Sequence, residues 1–269
     1  HLDQLGWFMD YKTLMSSLLN FVSEHPNITI STEKIEKLEQ LEEFRILAHG
    51  AHSTLHKQLH LKHNSSEEIT ITQAIAETKA LPQHQAWQRF DHTGTWAAVP
   101  QDEHHMMIIH SGQPLSTQKN QWLKNVQNAF KGQLSISTSN EPRTWSLKQY
   151  YTLPKIPSKT WLLGDAAMTI APIGAQGYNL ILRDLCSYLN GFLNQEVEQQ
   201  HHDRVLHRLK EHQKLFKTNQ VLQKAFCNKN IALNAIRSFA FLTLNQSSFL
   251  KKKVIAKGMG FDDFKKLET

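Results

Sequence analysis

The chain has 269 residues, 40% of them hydrophobic and 20% charged, with a formal charge of +6, a composition that fits a globular protein of one large or two small domains. No run approaches the roughly 18 apolar residues that a membrane-spanning helix needs. Neither a recognition helix with interleaved aromatics nor a zinc-finger spacing accompanies the positive charge, so nucleic acid is not an expected partner.

The sequence opens at His1 with no charged and then apolar leader, which points to an N-terminus cut from a longer protein. Leu14, Leu18, Leu19 and Val22 recur at helical spacing and predict a helix over residues 14–22, ending ahead of Pro26. Residues 28–30, Ile-Thr-Ile, read as a short strand, and residues 44–48 as a buried strand feeding a turn at Gly50. Residues 64–68, Asn-Ser-Ser-Glu-Glu, form a polar break. Beyond it, strand-like segments at 69–75, 86–90, 95–99, 106–109 and 134–137 predict an antiparallel sheet, with a helix at 122–130 among them. Residues 161–163 are another apolar strand, residues 180–193 a buried helix, and the chain from about 197 onward is mostly helical, with two polar-rich helices. The expected fold class is α/β with a central antiparallel insertion and a helical tail. Cys186 and Cys227 stand in no motif and read as small apolar residues in helices, which fits a reducing compartment.

The segment richest in chemistry is residues 161–184, WLLGDAAMTIAPIGAQGYNLILRD. A hydrophobic strand ends in Gly164-Asp165, a loop follows with Pro172, Gly174, Ala175, Gln176 and Gly177, and a helix starts near Asn179. A carboxylate at the end of a buried strand can accept hydrogen bonds from ribose-like or ribityl hydroxyls. Small residues let the backbone approach a planar ring or a phosphate, and the free N–H groups at the start of a helix favour an anionic ligand.

This run is similar to the GDAAH-x-x-x-P-x-x-GQG-x-N-x-G-x-x-D signature of flavoprotein hydroxylases built like p-hydroxybenzoate hydroxylase, and most similar to that of the ubiquinone-biosynthesis monooxygenases. Gly164, Asp165, Pro172, Gln176, Gly177, Asn179 and Asp184 match it residue by residue. Ile46 to Ser53, ILAHGAHS, resembles the family's GADG-x-x-S motif and places Gly50 at a second flavin contact. Leu5-Gly6-Trp7-Phe8, Trp87-Gln88-Arg89-Phe90 with Gly94 and Val99-Pro100, and residues 256–261, AKGMGF, resemble further family segments in order and spacing.

The resemblance implies an α/β fold with an α+β insertion. A partial, Rossmann-like FAD-binding domain would occupy residues 1–62 and 155–195, an antiparallel substrate-binding domain residues 63–154, and a helical C-terminal region residues 196–269. It implies FAD held by Gly164, Asp165, Pro172, Gly174, Ala175, Gln176, Gly177, Asn179 and Gly50, with NAD(P)H as reductant. The reaction would be hydroxylation of the ring of a polyprenylated phenol in ubiquinone biosynthesis, through a flavin C4a-hydroperoxide. A ubiquinone-biosynthesis complex and a membrane surface are the implied partners, and the implied location is cytoplasmic, peripheral on the inner membrane. The basic cluster of Lys251, Lys252 and Lys253 suits that surface. No catalytic acid or base is assigned.

The sequence also departs from the pattern. It contains no Gly-x-Gly-x-x-Gly phosphate turn, His49 stands for the Asp of the Asp-Gly pair and His56 for an Arg, and Met168, Ala175 and Ile181 replace a His or Gln and two glycines. These changes leave open a non-catalytic paralogue acting as an assembly or lipid-binding subunit; a further alternative keeps the enzymology but changes the substrate, to a small soluble phenol or another FAD-dependent oxidation. His49, His52 and His56 are spaced like metal ligands on a helix but lie at a strand end and turn, so no metal site is expected. His104 with His105, and His201 with His202, read as solvent-facing pairs, and Asp102-Glu103 as a charged turn.

Overall fold

A computed structural model describes residues 9–41, 44–51, 53–78, 85–174, 176–229, 243 and 246–252. The family-like segments at 5–8 and 256–261, together with Ala175, His52 and Lys253, lie outside them. The chain divides into two units, residues 1–41 and 42–269. The first contains α1 (Tyr11–Ser23), opened by Asp10, whose carboxylate accepts from the Thr13 N–H at 2.8 Å. The strand expected at 28–30 does not form. Ile28 and Ile30 are exposed, and no strand among the described residues pairs with them, so their β-propensity goes unused.

The second unit combines a small parallel sheet with a large antiparallel one. In the first sheet β1 (Arg45–Leu47) pairs in parallel with β8 (Thr160–Leu162), more than a hundred residues later, in the register Arg45 to Thr160 and Leu47 to Leu162. Trp161 of β8 anchors this region. Its ring lies 4.3 Å from that of Tyr188 and 4.9 Å from that of Phe192, both on α4 (Gln176–Leu193), and 5.5 Å from that of His201 on α5 (Glu198–Phe226). His201 is therefore a core residue and not half of a solvent-facing pair: aromatic packing outweighs its polarity.

The second sheet has the order β3-β4-β5-β2-β7-β9, with β6 (Ile136–Ser139) added beside β2. Its strands are β2 (His63–Thr78), β3 (Trp87–Asp91), β4 (Gly94–Pro100), β5 (His105–Gly112), β7 (Arg143–Thr152) and β9 (Met168–Thr169). Side chains alternate between its faces. On one face Ala74, Ala98, Met106 and Ile108 pack against Trp122, Val126 and Phe130, which lie four apart along α3 (Lys119–Phe130).

Several expectations change here. The polar stretch 64–68 is the first part of β2, paired with β7 through a bulge between Ser65 and Glu68; its backbone is satisfied by the sheet while its side chains face water. β7 carries polar and aromatic residues and was not among the expected strands. The tail begins with a 29-residue helix, and residues 198–226 contain no Gly or Pro to interrupt it. α4 starts at Gln176, three residues before Asn179.

Candidate functional site

Because β1 and β8 run parallel, the loops that follow them leave the same edge of the sheet, and ligands of α/β folds bind outside the carboxyl ends of such strands. β1 runs on to His49 and Gly50, and β8 runs on to Gly164 and Asp165; the Leu163 N–H donates to the Leu47 carbonyl at 2.9 Å, just before the loops part. Both loops turn on a glycine in the left-handed region, Gly50 at φ +76° and Gly164 at φ +59°. Around Gly50 a Cβ would meet nothing within 4 Å, whereas at Gly164 it would meet Ile181 Cδ1 of α4 at 3.2 Å.

Asp165 is exposed, and Thr169 Oγ1 donates to its Oδ1 at 3.1 Å. The Asp165 carbonyl accepts from the Tyr150 hydroxyl of β7. Burial first, and then the negative charge of Asp165, push that phenol up to about 12, so it remains a donor at neutral pH. Asp165 is thus fixed by its main chain while its carboxylate faces outward. Pro172, Gly174, Gly177 and Asn179 are exposed as well, and Gln176 is half-buried at the first turn of α4, where helical N–H groups have no intrahelical acceptor. Met168, by contrast, is buried and packs with Tyr151, Leu180 and Phe216, so it belongs to the core beneath the loop.

Two glutamines hold this loop to the antiparallel sheet. Gln149 Oε1, buried on β7, accepts from the Ala171 N–H at 2.9 Å, and Gln88 Oε1 on β3 accepts from the Gly174 N–H at 3.2 Å. Sequence reasoning missed Gln149, Tyr150 and Thr169, and it gave Gln88 no role. Gln149 and Tyr150 lie on the strand it missed, and Thr169 is the one with a sequence signal, a hydroxyl four residues after Asp165.

Behind the Gly50 turn sits a group of imidazoles. His56, on α2 (Leu55–Gln58), has its ring 4.5 Å from that of His49 and 4.9 Å from that of His63, which in turn lies 5.0 Å from Tyr150. His49 and His56 do come together, but His63 joins them through β2, beyond the spacing that first drew attention. Burial, with the adjacent His49 and His63, lowers His56 to about 4, so the His56 ring is neutral at pH 7. The Nε2 atoms of His49 and His56 are buried without a hydrogen-bond partner among the described residues. Among those residues no group of three His, Cys, Asp or Glu has the arrangement to hold a metal ion.

The model of a family described as FAD binding domain matches residues 24–218, well over half of the chain. The chain belongs to this FAD-binding family. The exposed Asp165 carboxylate fits the polyol chain of the cofactor, and the Gly50 turn, with open space around it, fits close approach of a ligand. The fold of this FAD-binding chain is also that of several solved structures. Against p-nitrophenol 4-monooxygenase PnpA from Pseudomonas putida DLL-E4 the TM-score is 0.61 at 15% identity, covering 82% of this chain and 58% of that one. Against Klebsiella pneumoniae HpxO, solved with FAD and uric acid, it is 0.57 at 13% identity, covering 80% and 58%. Against the Diels-Alderase PyrE3 of pyrroindomycin biosynthesis it is 0.59 at 11% identity, covering 80% and 49%. The chain thus spans about half the length of these proteins. At such identities the likeness is one of fold, and a fold shared by a monooxygenase and a Diels-Alderase does not by itself fix the reaction.

Proposed function

We propose that this chain carries the flavin- and substrate-binding part of an FAD-dependent monooxygenase that hydroxylates an aromatic ring, with NAD(P)H as reductant and a polyprenylated phenol of ubiquinone biosynthesis as substrate. One observation carries the reading. An exposed carboxylate, Asp165, stands at the carboxyl end of a parallel strand, between the Gly50 turn and the start of α4. In this reading Asp165 accepts hydrogen bonds from the cofactor's sugar-alcohol chain. Gly174, Gln176, Gly177 and Asn179 would border its ring, Pro172 would shape the loop, and Gly50 with Gly164 would let backbone come close. FAD, when bound, would supply electron transfer and oxygen activation. The protein's part is to orient the ring, and to exclude water through the loop that Gln88 and Gln149 hold against the sheet.

Exposed Leu250, Lys251 and Lys252 support contact with an anionic membrane surface, and no helix among the described residues is long and apolar enough to cross a membrane. A second reading, a non-catalytic relative, draws on Ile181, whose side chain fills the space beside Gly164 where the related hydroxylases carry a glycine. Titration of the full-length protein with FAD, followed by flavin absorbance and fluorescence, separates the two. The enzyme reading expects saturable binding that Asp165→Ala weakens by about tenfold or more, since hydrogen bonds to a charged group contribute about 1.5–3 kcal/mol. A full-length protein that leaves FAD free in solution would establish the second reading.

A further inference from the structure

The imidazole group behind the Gly50 turn is tied to both cofactor turns. His49 Nδ1 lies 3.0 Å from the Gly50 carbonyl, in the turn after β1. His56 stands against the backbone of Ala166, in the turn after β8. Tyr150, whose ring lies 5.0 Å from that of His63 and 6.4 Å from that of His56, donates its hydroxyl to the Asp165 carbonyl. The Thr152 N–H donates to the Ala167 carbonyl at 2.9 Å, and Thr152 Oγ1 lies 3.1 Å from His63 Nδ1. A displaced His56 ring would therefore disturb the main chain on both sides of the site.

This group has no provision for added positive charge. His56 is 7% exposed, and its Nε2 has no hydrogen-bond partner among the described residues, so a proton added there gains no acceptor. Its ring neighbours are the imidazoles His49 and His63, not carboxylates. Nearby charges are mostly positive: Lys57 on α2, Lys62 ahead of β2 and Lys148 on β7 are all exposed, and Lys148 adds to burial in lowering His63. The acids are Glu68, opposite Lys148 in the sheet, and Asp165, which acts on Tyr150. His52 belongs to the same stretch and lies outside the described residues. His63 is the exposed member and opens the group to protons from solvent.

Resting on the reading above, we propose that His49, His56 and His63 form an acid-triggered latch: protonation breaks their packing, loosens the turns after β1 and β8 together, and releases FAD. In the packed group His56 is lowered to about 4, mainly by burial. When the turns loosen and the ring meets water, it returns to its ordinary value of about 6.5. A histidine lowered in the packed state supports that state fully above about 6.5, and the support is lost as the pH falls toward 4. At pH 5.0 one ring moving between these values shifts the balance toward loosened turns by roughly thirtyfold, and at pH 7.5 hardly at all.

The test is equilibrium dialysis of the full-length protein against FAD at pH 7.5 and pH 5.0, with circular dichroism at both. The affinity should fall at least tenfold at pH 5.0 while the secondary structure is retained. His56→Gln, which keeps a polar side chain but binds no proton, should shrink that ratio at least threefold. His63→Gln should shrink it too, because the second lowered ring adds to the proton uptake, and it serves if His56→Gln does not fold. A merely structural role would change the affinity equally at both pH values and leave the ratio as in the wild type. That result, an affinity that holds or tightens in acid, or loss of the whole fold at pH 5.0 would overturn the latch. A protein that takes up no FAD at pH 7.5 defeats the functional reading itself, and the latch with it.

Discussion

Replacing Asp184 by alanine should be among the most destabilising single changes in the chain. Asp184 lies on α4, 1% exposed, and its Oδ1 accepts from Arg208 Nε of α5 at 2.8 Å, while His212 Nε2 lies 2.9 Å from Oδ2. Arg208 is 6% exposed and His212 fully buried, so neither can turn to water when the carboxylate goes. Removing one partner of a buried ion pair costs about 3–5 kcal/mol, because the remaining charge stays desolvated. For a unit of this size each kcal/mol corresponds to roughly 2–4 °C, so the melting temperature should fall by roughly 6–20 °C. Thermal melts followed by circular dichroism measure this, and a double-mutant cycle with Arg208→Met isolates the pair. The cycle should be strongly non-additive, and the combined Asp184→Leu, Arg208→Met, His212→Leu variant should regain much of the loss, since an apolar replacement strands no charge. A loss below about 1 kcal/mol for Asp184→Ala, or additive singles, would refute the claim that this pair locks α5 to α4.

Two further outcomes follow from buried polar groups. His56 and His110 are both lowered to about 4, mainly by burial. A histidine whose folded pKa lies below its unfolded value of about 6.5 adds stability that is complete above 6.5 and lost as the pH falls toward 4. The melting temperature should therefore drop between pH 7 and pH 4.5, and less steeply in His56→Gln; a flat profile in the wild type would contradict the neutral packing of these rings. Gln149→Leu leaves the Ala171 N–H without its acceptor, and Gln88→Leu does the same at Gly174. Titration with FAD should show weaker binding in both, more so for Gln149 because its bond is buried, and equal affinity in both variants and wild type would show that the loop holds its shape unaided.

What the sequence made legible was local. The spacing of Trp122, Val126 and Phe130 marks α3, the apolar runs mark β1 and β8, and Gly164-Asp165 ahead of a small-residue loop marks the cofactor side. Elements that depend on distant partners were not legible. β7 holds its place through nine register pairs with β2 although its own pattern, with Arg143, Ser146 and Lys148, is polar, and residues 28–30 have strand-like chemistry but no neighbour to pair with among the described residues. The same distinction runs through the candidate site. Gly50 and Asp165 could be found in short motifs, but their meeting requires the parallel pairing of β1 with β8 across the whole antiparallel insertion.

The residues that shape the space above the sheet are of this second kind. Gln88 lies in a family-like segment that gave it no role and Gln149 on a strand with no motif, because a side-chain amide becomes informative only when its partner is known. Side chains on one strand alternate between faces, so a single substitution such as Gln88→Leu can remove the contact with the loop without touching the α3 core behind it. Loop contacts and sheet core are therefore separable by mutation. The turns after β1 and β8 should govern FAD, while the core between the large sheet and α3 should govern stability.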